Sequence, residues 1–199
     1  SLVDQLISNN LIGLFAPHSE KNIAGILAIS KHFILHKKVS RKQCIWTPGV
    51  LLPNLYFNGE GILAEYANIY GKLICINFIK PFTLFWSDAS FLLWKDTDTT
   101  IRALTPGTIY QLEGPRLEKL TIEHGMGYQM ANALTTKTIL NFRQRSAELC
   151  SILGAKDRLK LAFDKDPAIL SHISRADLAG YMNLTRSTLF RALKGYYHA

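Results

Sequence analysis

The sequence predicts an α+β protein: an N-terminal antiparallel β-roll of jelly-roll type with flanking helices, a long helix, and a small all-α unit near the carboxyl end. Three observations predict it. Between "KHFILHKKV" and "GTIYQLE" the chain runs in short stretches of Ile, Phe, Tyr, Thr and Leu, broken by Pro48-Gly49, Pro53-Asn54, Asn58-Gly59, Gly71, Pro81 and Pro106-Gly107. That is the punctuation of short strands and turns. From Tyr128 the apolar residues recur three and four apart, which is the period of a helix. The stretch "SRADLAGYMNLTRSTLFRALK" then reads as two short helices around a sharp corner.

Taken in order, "VDQLIS" and "EKNIAGILAI" have apolar positions at helical spacing and are separated by Pro17 and Ser19, so two short helices precede the strands. Within the strand-rich part, "ILAEYANIYGKLICINFI" is the clearest piece, two strand-like runs joined by a hairpin loop over Asn68 to Lys72. Helical spacing returns after Gly114-Pro115 in "RLEKLTIEH". Past the break at Gly125-Met126-Gly127, a run from Tyr128 to Leu153 carries Ala131, Leu134, Thr138, Phe142, Leu149 and Ile152 as an apolar stripe, with Lys137, Arg143 and Glu148 off it. A helix of this length spans about 40 Å at 1.5 Å per residue. That is more than a small domain needs, and the surplus predicts a helix that pairs with a second copy. Gly154 ends it, "AKDRLKLAF" makes a further helix, and Asp166-Pro167 breaks the chain before the closing motif.

The composition bounds the function. At 199 residues and 48% hydrophobic, the chain suffices for one mid-sized domain or for a core domain with an appendage. It has no apolar run of about eighteen residues and starts on "SLVDQLISNN", without a basic region and apolar stretch, so the expectation is a soluble, cytoplasmic protein with no membrane partner. Cys44, Cys75 and Cys150 lack C-x-x-C spacing, which argues against a zinc ribbon, an iron–sulfur cluster or a disulfide framework and for reduced thiols. The formal charge of +8 points to a polyanionic partner or an anionic surface.

In the closing motif, Leu178, Met182, Leu184, Leu189 and Ala192 can share one small core if the helices turn at Asn183, with Ala179 small at their crossing. Asn tolerates the positive φ such a corner needs, and Thr185 is suited to cap the second helix. That helix shows Arg186, Ser187, Thr188 and Arg191 on one face and Lys194 at its end. Arginine can reach guanine O6 and N7 in the major groove, while Thr185, Thr188 and Lys194 suit phosphate oxygens. A helical hairpin with a solvated basic face is the plainer alternative. The coincidence of small residue, corner residue, cap and basic face favours binding of double-stranded DNA.

The order of strand-rich roll, long helix and helix-turn-helix resembles the Crp/Fnr family of bacterial transcription regulators, particularly its short Bacteroidetes members. The similarity is strongest in "SRADLAGYMNLTRSTLFRALK" and moderate in "YGKLICINFIKPFTLFWSDASF". It implies a cyclic-nucleotide-binding-like roll over residues 1–124, a dimerisation helix over 125–154 and a helix-turn-helix DNA-binding domain over 155–199. It also implies a homodimer, with Arg186, Ser187 and Arg191 facing base edges. Ser187 stands where many relatives have Glu, so a different target sequence follows. "DKDPAILSH" and "GYYHA" are too short for the usual wing hairpins, which implies a wingless form or a truncated chain.

The sensor end departs further. Relatives that bind cyclic AMP hold its phosphate with a Gly-Glu pair on a short helix and an Arg followed by Ser or Thr. Here Trp86-Ser87 and Thr97-Asp98 stand in their places, and Asp96 and Asp98 would repel a phosphate. Cyclic AMP is therefore not the expected effector in the usual mode, and Arg102 falls at a strand position expected to face outward. An unknown small-molecule effector is expected near Phe85, Trp86, Ser87, Thr97 and Arg102, or an apolar one among Phe82, Phe85, Trp86, Phe91 and Trp94.

Other chemistry is weakly supported. "GEGILA" over Gly59 to Ala64 matches a loose dinucleotide fingerprint but lacks the βαβ setting. His32 and His36 lie among Lys31, Lys37 and Lys38 with no acidic third ligand close by, which disfavours a metal. No G-x-S-x-G, P-loop or H-E-x-x-H occurs. No catalytic residue, metal or cofactor is assigned, and an enzyme of cupin-like shape is the weakest reading. The main alternative to a regulator is a small-molecule-binding β-barrel protein whose C-terminal helices only pack or dimerise.

Overall fold

The computed structural model describes residues 2–14, 20–150, 154–165, 167 and 169–197. The predicted break at Pro17 and Ser19, the stripe position Ile152, the run's end at Leu153 and the breaker Asp166 lie outside the described residues.

Two helices open the chain, α1 (Leu2–Leu14) and α2 (Glu20–Ser30). They bury Ile7 and Leu11 against Ile26 and Ile29, and Ser8 Oγ donates to Ser30 Oγ at 2.8 Å inside that contact. α1 is longer than "VDQLIS" because burial of Leu11 extends the helix through Asn9, Asn10 and Gly13, residues whose own propensity for helix is poor.

Eight strands follow among the described residues: β1 (Ile34–Val39), β2 (Cys44–Trp46), β3 (Leu55–Glu60), β4 (Leu63–Ile69), β5 (Lys72–Ile79), β6 (Thr83–Phe85), β7 (Thr99–Ala103) and β8 (Gly107–Leu112). They form two antiparallel four-stranded sheets, β1-β8-β3-β6 and β2-β7-β4-β5, as the strand-and-turn pattern predicts. Val39, Trp46, Tyr56, Leu63, Ile79, Phe85, Ile101, Ala103 and Ile109 pack between them. "GEGILA" is the connection from β3 into β4, strand to strand, so it has none of the geometry of a dinucleotide loop.

The predicted hairpin joins β4 and β5, and its ladder runs through Asn68↔Leu73 to Ile69↔Lys72. Only Tyr70 and Gly71 turn, at φ 50° and 78°. Two consecutive positive φ values make the tight turn whose twist suits a hairpin, and glycine meets the second without strain.

The other face of β3, β6 and β8 is covered by helices. α4 (Gly114–Glu123) and α5 (Gly127–Cys150), with Met126 at their junction, contribute Leu117, Leu120, Met126, Met130 and Leu134 to a core shared with α1, α2, Leu55, Phe57, Leu84 and Leu112. Among the described residues of the predicted stripe, only Leu134 is buried there. Ala131 is exposed, Phe142 is 71% exposed, and Thr138 and Leu149 are half-buried. Met130, one turn before Leu134, shares the inner line with it, and Met126 lies just ahead of the helix.

Beyond α5 lie α6 (Ala155–Lys165), α7 (Ile169–His172), α8 (Arg175–Tyr181) and α9 (Arg186–Tyr197). Leu159, Leu178, Ala179, Met182, Leu189 and Ala192 close a separate small core. "DKDPAILSH" contains the short α7 and no described strand. α8 lies against the outer face of β5, where Tyr181 and Phe78 rings meet at 4.7 Å. Gly180 abuts the backbone of Cys75 so closely that a Cβ on it would come within 3.3 Å of the Cys75 nitrogen.

Candidate nucleic-acid interface

The corner between α8 and α9 is built from local bonds. Ser174 caps α8, its Oγ accepting from Asp177 N at 3.0 Å and donating to Asp177 Oδ2 at 2.6 Å. The helix ends as Asn183 takes φ 51°, with Asn183 N donating to Gly180 O at 3.0 Å and Leu184 N to Ala179 O at 2.9 Å. This left-handed corner satisfies carbonyls that a helix end leaves open. Arg158 of α6 reaches another, donating from Nη1 to Met182 O at 3.3 Å. Thr185 Oγ1 accepts from Thr188 N at 3.1 Å and so caps α9 as the sequence predicts.

Leu189 and Ala192 turn inward, which leaves Arg186, Ser187, Arg191 and Lys194 exposed and Thr188 half-buried on the outer face of α9. Thr185 Oγ1 lies 3.0 Å from Ser187 Oγ and 2.8 Å from Thr188 Oγ1. Three hydroxyls thus gather at the positive end of a twelve-residue helix, an arrangement suited to a phosphate oxygen.

The five residues predicted to meet an effector do not share one environment. Phe85 lies in the roll core, stacked on Trp46 at 5.7 Å and Tyr56 at 5.3 Å. Trp86 packs on the neighbouring helical core. Ser87 caps α3 (Asp88–Leu93), accepting from Ser90 N at 3.3 Å. Thr97 is buried, its backbone bonded to Val50 and Gly49. Arg102 is exposed between the inward Ile101 and Ala103 and stands 5.7 Å from the outer Tyr66 ring; its direction is the one the strand position predicts. Of the other aromatics, Phe82 and Trp94 are 49% and 62% exposed, and Phe91 packs beside Trp86. Beside α3, Glu65 accepts from Thr99 Oγ1 at 3.0 Å and Asn77 Nδ2 at 3.4 Å. Burial holds its carboxyl above the usual range, and Asp88 and Asp98 push it the same way. The two histidines part company: His32 lies 3.4 Å from Arg116, while His36 meets the Tyr56 ring edge-on.

No family model and no curated protein sequence matches the chain. Solved structures do. FixK2 from Bradyrhizobium japonicum superposes with a TM-score of 0.68 at 17% identity, over 83% of this chain and 85% of that one. CLP of Xanthomonas campestris, a global regulator responsive to c-di-GMP, gives 0.60 at 18%, over 90% and 92%. A CRP-family transcriptional regulator from Thermus thermophilus gives 0.60 at 17%, over 82% and 85%. The chain has the fold of Crp-type transcription regulators. Among the described residues no helix of this Crp-like fold is long and apolar enough to cross a membrane.

In and beside the α8–α9 pair of helices, Phe190, Arg175, Tyr181 and Arg145 escaped the sequence reading. Phe190, 45% exposed on α9, has Lys194 Nζ at 5.0 Å and the Arg175 guanidinium at 5.7 Å from its ring centre. The spacing of Phe190 and Lys194, one helical turn apart, was a readable signal. Arg145 of α5 stacks on the Tyr181 ring at 3.7 Å and approaches Glu148 at 3.7 Å. That contact joins elements 36 positions apart, and no local pattern announces it.

Proposed function

We propose that the chain is a homodimeric, DNA-binding transcription regulator whose roll responds to a small molecule other than cyclic AMP bound in the usual mode. The division would be an effector domain over residues 1–124, a dimerisation helix over 125–154 and a DNA-binding domain over 155–199. The observation that carries this reading is the outer face of α9, where Arg186, Arg191 and Lys194 stand exposed beside the hydroxyls of Thr185, Ser187 and Thr188. Two such helices about 34 Å apart would meet successive major grooves of one duplex. Arg186, Ser187 and Arg191 are the base-reading candidates, with Thr185, Thr188 and Lys194 on phosphates. Glu65, Asp88 and Asp98 near α3 support the exclusion of a cyclic phosphate there, since like charges at close range repel. Phe85, Trp86, Ser87, Thr97 and Arg102 remain proposals as effector contacts, with Arg102 on the outer side.

The test is selection of duplexes from a random pool, followed by titration at several salt concentrations. A regulator enriches a palindromic site, and the logarithm of its affinity falls linearly with the logarithm of salt. Equal binding to every duplex ends the proposal. The rival reading, a barrel protein whose last helices only pack, draws on the α8 contact with β5 and predicts no enriched site at all.

A further inference from the structure

A cavity of about 820 Å³ opens between α1, α2 and the first half of α5, outside the roll. That size suits a small-molecule site, but its wall is unusual in chemistry. Six carboxamides line it, Asn9, Asn10, Asn22, Gln129, Asn132 and Asn141, beside apolar surface from Leu14 and Leu140. Carboxamides both donate and accept hydrogen bonds, so the wall can hold polar groups beside its apolar surface, with Asn10 Nδ2 already donating to Leu6 O at 3.1 Å. Among the described residues that line it, Lys137 alone carries a charge.

Lys137 is in an unusual position. Its ammonium lies 5.8 Å from the Trp86 ring centre, and among the described residues that line the cavity none is acidic. Burial holds its pKa below the usual lysine range. A ring face offsets part of the cost of a desolvated cation, whereas an anion offsets it far more fully. Trp86 Nε1 is itself buried without a partner. The next residue along α5, Thr138, donates from Oγ1 to Asp88 Oδ1 at 3.0 Å, at the start of α3.

We propose that this cavity binds a small organic anion, a carboxylate or a phosphate ester, whose charged group meets Lys137 and whose polar body is held by the surrounding amides. Lys137 is followed on α5 by the Thr138 that bonds Asp88 of α3, so an anion drawn to Lys137 would be linked to that α5–α3 contact through one turn of helix. The signalling role rests on the regulator reading; the binding itself does not.

The test is calorimetric titration of the full chain with citrate, 3-phosphoglycerate and glucose 6-phosphate, with glycerol and glucose as uncharged counterparts. At least one anion binds once per chain, and its uncharged counterpart binds at least about tenfold more weakly. The carboxylate and phosphate arms tell which anion class is taken. Lys137→Met abolishes the preference for the anion and Lys137→Arg retains it. Asn132→Leu, which fills the cavity without removing the charge, lowers anion affinity too. The affinity of the preferred anion falls as pH rises through the titration of Lys137. Absence of heat with every anion, equal binding of the uncharged compounds, or unaltered binding by Lys137→Met overturns the proposal. So does a change in sedimentation on Lys137→Met with no change in anion binding, which assigns the cavity to a second copy. Duplex binding by the same preparations reads the regulator proposal separately.

Discussion

Arg186 begins α9 with its guanidinium exposed, and its neighbours are hydroxyls rather than carboxylates. Among the described residues none forms an ion pair or hydrogen bond with it, so its loss should leave folding alone and appear in recognition. Arg186→Ala is expected to cost about 1–3 kcal/mol at one base position of the selected site and to relax preference there. Competition by duplexes carrying single base changes measures it. Glu65 provides a residue-scale prediction for stability. Its folded-state pKa is raised, mainly by burial, so the folded chain holds a proton that the unfolded chain releases at lower pH. Stability from this group is then full below the unfolded value, about 4.3, and is lost as pH rises through the folded one. Glu65→Gln should flatten the pH dependence in that window and raise the melting temperature at neutral pH.

At the scale of elements, α5 separates two uses of one helix. Met130 and Leu134 face the roll, while Ile139 and Phe142, which do not line the cavity, are each more than half exposed. Apolar side chains left in water along one helix represent unrealised burial, roughly 25 cal/mol for each Å² that a partner could cover. In the homodimer proposed above, Phe142→Glu should shift sedimentation equilibrium strongly toward monomer without lowering the helix content. Retention of the dimer by this variant would assign the pairing to another surface. The β4–β5 hairpin shows how much an element can declare in its own letters: alternating apolar residues and one glycine placed the turn within two residues of where it occurs. The α5 stripe was legible as a period but not as a direction. Which face turns inward depends on the core that Met130 and Leu134 join, and the spacing of Ala131 to Leu149 holds no record of that.

Across the whole molecule, the order of roll, long helix and paired short helices was written in the sequence because each is a local pattern. The corner at Asn183 and the cap at Thr185 were legible for the same reason. What joins the parts was not. Phe78 meeting Tyr181, Arg145 stacking on Tyr181 and Gly180 nesting on Cys75 link residues 36 to 105 positions apart, and each depends on complementary shape rather than on any repeat. The cavity beside Lys137 escaped notice likewise, since its amides come from three helices and its lysine sat in the sequence as one more polar residue off an apolar stripe.

The nesting of Gly180 on Cys75 has a practical consequence. Cys75 is buried, and burial together with Asp177 pushes its thiol well above the ordinary range, so iodoacetamide should modify it far more slowly than the exposed Cys150. Because α8 packs over Cys75, the alkylation rate becomes a built-in clock for departure of α8 from β5. Gly180→Leu should make that clock run fast.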